Sequence, residues 1–361
     1  MIRNIIFDWS GTLVDDLPAV WLASNRVFEN AGVEPMTLEA FRAEFELPYK
    51  PFYDRYTPHI SDEQREAWFH EHFPEVIHLV EDLPHARGFL EFCRREEIRV
   101  VLFSAIPRDQ FDFLTERNGF NEFFHGHELA VKDKRERIHD LLERYELDPE
   151  ETMFVGDMRH DLDAAKYGGV FACATLTGYN TLTQLRAGEP HLIVEHLGEL
   201  RDIFERGELK ARLTGDESNE GIARAPVATV GGLIFNDADE ALLLRTDKWS
   251  GLWGMPGGKI KYGETAEQAF IREVKEETNL EAADVKFELF LDCIEPEEFY
   301  RKAHFVLLNY TCGCRNAAET RLNDEAQEFQ WLSLEAALKL PLNGPSERLI
   351  QAIAEERRIN I

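Results

Sequence analysis

Residues 258–280, GKIKYGETAEQAFIREVKEETNL, decide the fold of the C-terminal half of this chain. Placed on a helix from Thr265 to Thr278 at about 100° per residue, Ala266, Phe270 and Val274 form one apolar stripe. Glu277 points almost the same way as Phe270, Glu273 lies at the edge of the stripe, and Glu276 projects beside Ala269. Gln268, Arg272 and Lys275 are expected on the outer face. Carboxylates that lean toward a buried side repel one another and are costly to desolvate unless a positive charge sits among them. A hard divalent cation with oxygen ligands answers that need.

The spacing of Gly258, Glu264, Arg272-Glu273, Glu276-Glu277 and Leu280 resembles the Nudix box, G-x5-E-x7-R-E-U-x-E-E-x-G-U, where U is a bulky apolar residue. The one departure is Asn279 at the late glycine, a mild exchange because Asn also adopts the left-handed conformation that ends a helix. The resemblance implies metal-assisted cleavage of a pyrophosphate bond. By it, Glu276 and Glu277 bind Mg²⁺, with Mn²⁺ as the other metal these ligands suit. Glu273 is a ligand or the general base, Glu264 supports the cluster, Arg272 orients the carboxylates, and the Gly257 carbonyl is a further ligand. Asp324, Glu325 and Glu328 are candidates for a late acidic ligand.

A second set of features runs through the N-terminal half. NIIFD (4–8) reads as a buried strand ending in an aspartate, and Gly11 and Thr12 break it. RVVLFS (99–104) is another apolar strand, ending in a hydroxyl. Lys132 sits before an amphipathic helix with Lys134 as its rival, and TMFVGDMRHD (152–161) is a third strand, ending in Gly-Asp. An acid at the carboxyl end of a parallel strand lies where open α/β sheets place their sites.

These pieces resemble the four motifs of the haloacid dehalogenase superfamily over about residues 1–205, and the tail after 168 resembles phosphoglycolate-phosphatase-like members. The resemblance implies Asp8 as nucleophile, Ser104 as a phosphoryl hydrogen-bond donor, and Lys132 as the countercharge. It implies Mg²⁺ on Asp8, the Ser10 carbonyl and Asp157, supported by Asp161. Residues 16–85 would form a helical cap, with Phe41, Phe45, Tyr49, Phe52, Tyr53 and Tyr56 as its core. Members of this family carry an aspartate two residues after the nucleophile, and this chain has Ser10. A hydroxyl is a poor general acid, and general acid–base catalysis contributes about 10²–10⁴-fold. The domain is therefore a slow phosphatase, one with an acid supplied elsewhere (His160 and Asp15 are near in sequence), or a ligand-binding module that regulates its neighbour.

The expected fold class is α/β: a Rossmann-like domain at 1–207 with cap 16–85, a linker at 208–224, and a Nudix α/β/α sandwich with a mixed sheet at 225–361. The linker reading rests on RGELKARLTGDESNEGIARA, poor in apolar residues and holding three glycines. With 361 residues, 44% of them hydrophobic, the chain has enough to build two cores. A net charge of −28 argues against nucleic acid and anionic membranes as partners. Five scattered cysteines and no long apolar run suggest a cytoplasmic protein. Small phosphorylated molecules, nucleotides above all, are the expected substrates. Trp249, Trp253, Phe299, Tyr300 and Trp331 are candidates to stack a base, and Arg245 and Lys248 to meet phosphates. The two activities would act in sequence if one product feeds the other.

Overall fold

A computed structural model describes residues 2–209, 226–261, 263–301, 303–323 and 326–359. The chain falls into two compact units, Met1–Ile222 and Ala223–Ile361. Most of the stretch expected as a linker, residues 210–224, lies outside the described residues.

The first unit is built on a six-stranded parallel sheet. Its order is Gly126–Glu128, Arg99–Phe103, Asn4–Phe7, Thr152–Gly156, Phe171–Thr175, Leu192–Val194. The strand Asn4–Phe7 is fully buried and pairs on both sides, with Phe7 opposite Leu102 and Val155. That register brings the three strand ends to within one residue of level, so Asp8, Ser104 and Asp157 emerge together at one edge. A strand buried on both faces reads as a continuous apolar run, which is why NIIF, VVLF and MFV are legible. Helices pack on both faces, and two clusters of buried side chains, around Phe7 and around Phe154, fill the two interfaces.

The cap is helical, with Leu17–Asn30, Leu38–Glu44, Lys50–Tyr56 and Asp62–Val76. Phe28, Phe41, Phe45, Phe52 and Tyr53 pack together, and Met158 and Tyr179 from the sheet side join the same cluster. Cap and sheet domain thus share one apolar core.

The second unit holds a seven-stranded mixed sheet. Val227–Phe235 runs parallel to His304–Cys314, and the other pairings are antiparallel. The helix Ala266–Thr278 packs Phe270 and Val274 against this sheet, where Phe270 stacks on Tyr310 at 5.2 Å. Thr265 caps its start by accepting from the Gln268 N–H, and the Gln268 side chain answers in return. Asn279 ends it in the left-handed conformation at φ 60°.

Candidate active sites

At the edge of the parallel sheet, Asp8, Asp157 and Asp161 each present a carboxylate oxygen within 4.8 Å of the other two, and all three are buried. Among the described residues this is the one group of three or more metal-type ligands that converges so closely. Asp157 accepts from the Thr12 hydroxyl at 3.2 Å and from the Tyr179 N–H at 2.7 Å. Even so, burial, with the neighbouring charges of Asp161 and Asp8, pushes its pKa well above the carboxylate range. Asp8 is also raised, by burial first, with Lys134 pulling back. Its Oδ1 lies 2.8 Å from Lys134 Nζ yet has no well-directed hydrogen bond. Three crowded carboxylates with an unsatisfied oxygen suit a hard divalent cation. Ser104, also buried, sits beside them and accepts from the Ile106 N–H at 3.3 Å.

The lysine is where the sequence reading changes. Lys134 Nζ is fully buried between Asp8 and Asp161, at 2.8 and 2.6 Å. Burial opposes its charge, but the two carboxylates outweigh that and raise its pKa. Lys132, the expected residue, is exposed and pairs with Glu66 of the cap at 2.5 Å. The helix begins at Lys134 because Asp133 caps it, accepting from the Arg135 N–H. Spacing along the chain locates the pair of lysines; the cap residue decides which one enters the site.

Position 10 carries the second surprise. The Ser10 hydroxyl donates to Asp16 Oδ2 at 2.6 Å, and the Tyr179 hydroxyl donates to Oδ1 at 3.0 Å. Asp16 is buried, and burial pushes its pKa up to about 7 despite those two bonds. Neither neighbour suspected from sequence takes this place. His160 accepts from the Lys134 N–H and is held neutral by burial, its pKa pushed down to about 4. Asp15 lies in a short two-stranded pairing with Glu81. Asp16 and Tyr179 went unread as functional; the doubled acid at 15–16 next to a missing acid was the available signal.

Gly11 is required where it stands. Its φ is +66°, and a Cβ there would lie 2.3 Å from Asp157 Oδ2.

In the second unit Arg272 is the hub. It holds both oxygens of Glu264, at 3.1 and 2.7 Å, and reaches Glu273 at 2.6 Å, Glu276 at 3.1 Å and the Lys259 carbonyl at 3.1 Å. The bonds from Arg272 to Glu264, and after them one from the Lys261 N–H, pull Glu264 down to about 2. Arg272 is half-buried rather than on the outer face, because its guanidinium folds back over the loop before the helix. Glu277 is buried and accepts from the Gly257 N–H at 3.1 Å. Glu276 remains exposed, which corrects the expectation that every box carboxylate leans inward. A Cβ on Gly258 would lie 2.4 Å from Glu273 Oε1, so a bare backbone lets that carboxylate approach.

Of the late acid candidates, Glu328 pairs with Arg245 at 3.3 Å, and Asp324 and Glu325 lie outside the described residues. Among the candidate base-stacking rings, Trp253 and Tyr300 are buried. Trp249, Phe299 and Phe305 form a ring cluster, with Trp249 and Phe299 4.9 Å apart.

Comparison with known proteins divides the chain in the same way. Residues 5–175 match the haloacid dehalogenase-like hydrolase family, and residues 225–353 match the NUDIX domain. A phosphoglycolate phosphatase from Pseudomonas putida is 26% identical over 212 residues, covering 55% of this chain and 78% of that protein. One from Vibrio vulnificus is 23% identical, covering 56% and 96%. Pyrophosphatase PpaX from Oceanobacillus iheyensis is also 23% identical, covering 56% and 95%. Two solved structures share the fold of this part. The crystal structure of a "predicted phosphatase from Clostridium acetobutylicum" has TM-score 0.52 at 14% identity, covering 57% of this chain and 99% of that one. A haloacid dehalogenase-like protein from Streptococcus pneumoniae has TM-score 0.50 at 20% identity, covering 56% and 98%. No helix among the described residues is long and apolar enough to cross a membrane.

Proposed function

Because the chain joins a haloacid dehalogenase-like hydrolase domain to a NUDIX domain, we propose that this hydrolase has two activities, with domains at 1–207 and 225–361. The first hydrolyses a phosphomonoester through Asp8. The second cleaves the pyrophosphate bond of a nucleoside di- or triphosphate-type compound. Such a cleavage yields a phosphomonoester, the class of bond that the first domain hydrolyses.

The observation that carries the phosphatase reading is Asp8 at a strand end, paired to buried Lys134 and grouped with Asp157 and Asp161. In this reading an Asp8 oxygen attacks phosphorus as the P–O ester bond breaks, the departing oxygen takes a proton from water to leave as the alcohol, and a second water attacks the aspartyl-phosphate, giving up a proton to solvent as phosphate is released and Asp8 restored. Lys134 balances charge on Asp8, and Ser104 offers its hydroxyl to a phosphoryl oxygen. Asp8, the Ser10 carbonyl, Asp157 and Asp161 would hold Mg²⁺ or Mn²⁺. In the second domain, the Gly257 carbonyl, Glu264, Glu273, Glu276 and Glu277 would do so. The bound metal would neutralise phosphate charge and lower the pKa of a water. Glu273, oriented by Arg272, is the base or a ligand.

A second reading rests on Ser10. With no acid at that position, the first domain binds a phosphorylated ligand and turns it over slowly or not at all.

Wild type, Asp8→Asn and Glu277→Gln are to be assayed with Mg²⁺ on phosphomonoesters and on nucleoside di- and triphosphates. Each substitution is expected to abolish one activity and spare the other. Equal phosphomonoester rates in wild type and Asp8→Asn would remove Asp8 as nucleophile. Trapping of a phosphate mimic without multiple turnover would favour the second reading.

A further inference from the structure

We propose that the cavity above Asp8 receives a neutral, apolar leaving group of about the size of a substituted ring, and not a small carboxylate. The proposal rests on the reading of Asp8 as the phosphoryl acceptor.

The cavity has a volume of about 290 Å³ and runs from Asp8, Ser10 and Ser104 up into the cap. Six phenyl and phenol rings line it, Phe45, Tyr49, Tyr53, Phe69, Phe73 and Tyr179, together with the His70 imidazole. The three phenol hydroxyls among them are already engaged, Tyr49 on Glu66, Tyr53 with Ser24 and Tyr179 on Asp16, so those residues present ring rather than donor. On the sheet side, Ile106 and Leu114 continue the apolar wall directly beyond Ser104.

The arginine and the lysine at its margin are committed. Arg65 donates to Asp54 and Asp62 through Nη1 and to the Thr57 carbonyl through Nη2; its Nε has no partner and is sealed from solvent. Lys132 is neutralised by Glu66. A carboxylate on the leaving group would therefore find no Lys or Arg free of an acidic partner here, only the exposed His70 imidazole, and would lie near the buried Asp16. A two-carbon group would also leave most of the apolar wall wet, since one water takes a share of about 30 Å³. A ring-sized apolar group instead fills a space typical of the small end of ligand pockets, about 300 Å³. A nucleobase would stack on the rings but find only Gln110 and His70, beyond the groups already engaged, to pair with its several polar edges, a shortfall that such a site punishes.

The test compares kcat/KM of the full chain with Mg²⁺ on 2-phenylethyl phosphate, ethyl phosphate, phosphoglycolate and adenosine 5′-monophosphate. The alkyl pair has leaving groups of similar basicity. The 2-phenylethyl ester is expected to exceed ethyl phosphate at least about tenfold, with phosphoglycolate no better than ethyl phosphate. In Phe69→Ala that ratio should fall toward unity. Phosphoglycolate or the nucleotide ranking first would overturn the proposal, as would a 2-phenylethyl-to-ethyl ratio near one in wild type. If no ester is turned over, the Asp8 reading fails by itself, and the cavity is judged by calorimetry. There, 2-phenylethylphosphonate should bind at least about tenfold tighter than phosphonoacetate, and the reverse order would overturn the proposal.

Discussion

The hydroxyl of Ser10 lies 2.6 Å from Asp16 Oδ2 and donates to it, so the position that carries an acid in related phosphatases is turned toward another acid. Ser10→Asp alone would set two carboxylates face to face in a buried site. It is expected to raise phosphomonoester turnover little at pH 7. The double variant Ser10→Asp/Asp16→Ser should exceed it at least about tenfold, within the range of general acid catalysis. Steady-state kcat for the two variants decides this, and equal values would refute the carboxylate conflict.

Asp16 also gives stability a pH dependence. Its pKa rises from 3.8 to about 7 on folding. The unfolded chain releases this proton earlier, so the contribution is fully present below pH 3.8 and is lost as pH rises through about 7. For the fully buried group this amounts to the order of a few kcal/mol. Denaturant midpoints measured in EDTA from pH 4 to 8 should show a fall in wild type that Asp16→Asn flattens.

The two lysines separate cleanly. Lys134→Ala leaves Asp8 and Asp161 buried without their shared cation, and breaking such a pair costs about 3–5 kcal/mol. Phosphatase activity should drop at least about 100-fold. Lys134→Arg keeps the charge and tests whether the loss is only one of folding. Lys132→Ala removes an exposed partner of Glu66 and should cost under about 1 kcal/mol by denaturation.

Arg272→Lys removes the forked grip on Glu264 and the reach to Glu273 and Glu276. Pyrophosphate-bond cleavage should fall about 10–100-fold, with more Mg²⁺ needed for half-maximal rate, as expected when an orienting partner of metal ligands is lost. Glu264, pulled down to about 2, adds stability that is present above pH 4.5 and lost as pH falls toward 2. Acid denaturation of Arg272→Lys should therefore begin at higher pH than in wild type.

Two glycines test the independence of the centres. Gly11→Ala meets Asp157 at 2.3 Å and adopts an unfavourable positive φ, while Gly258→Ala meets Glu273 at 2.4 Å. Each is expected to lower its own domain's activity at least about tenfold and spare the other's. Parallel assays on the intact chain would show whether loss at one centre travels to the second.

The positions of Asp8, Ser104 and Asp157 are legible in the sequence because each follows an apolar run long enough to be a buried strand, and three parallel strands in register end within one residue of level. The box helix is legible from its period, with Thr265 as cap and Asn279 as its left-handed end. These features depend on neighbours a few residues away. Arg272 as hub was half legible: the resemblance to the Nudix box implies its orienting role, while helical spacing put it on the outer face rather than in its half-buried place.

By itself, then, the sequence determined two domains, their family patterns and most of the carboxylates, because local periodicity and strand ends are written in contiguous residues. Only the tertiary structure decided that Lys134 enters the site while Lys132 reaches the cap, that Ser10 is bound to Asp16, and that cap rings enclose an apolar cavity over Asp8. Those outcomes come from packing between segments far apart in the chain, where side-chain direction, burial and competing partners select among residues of the same type.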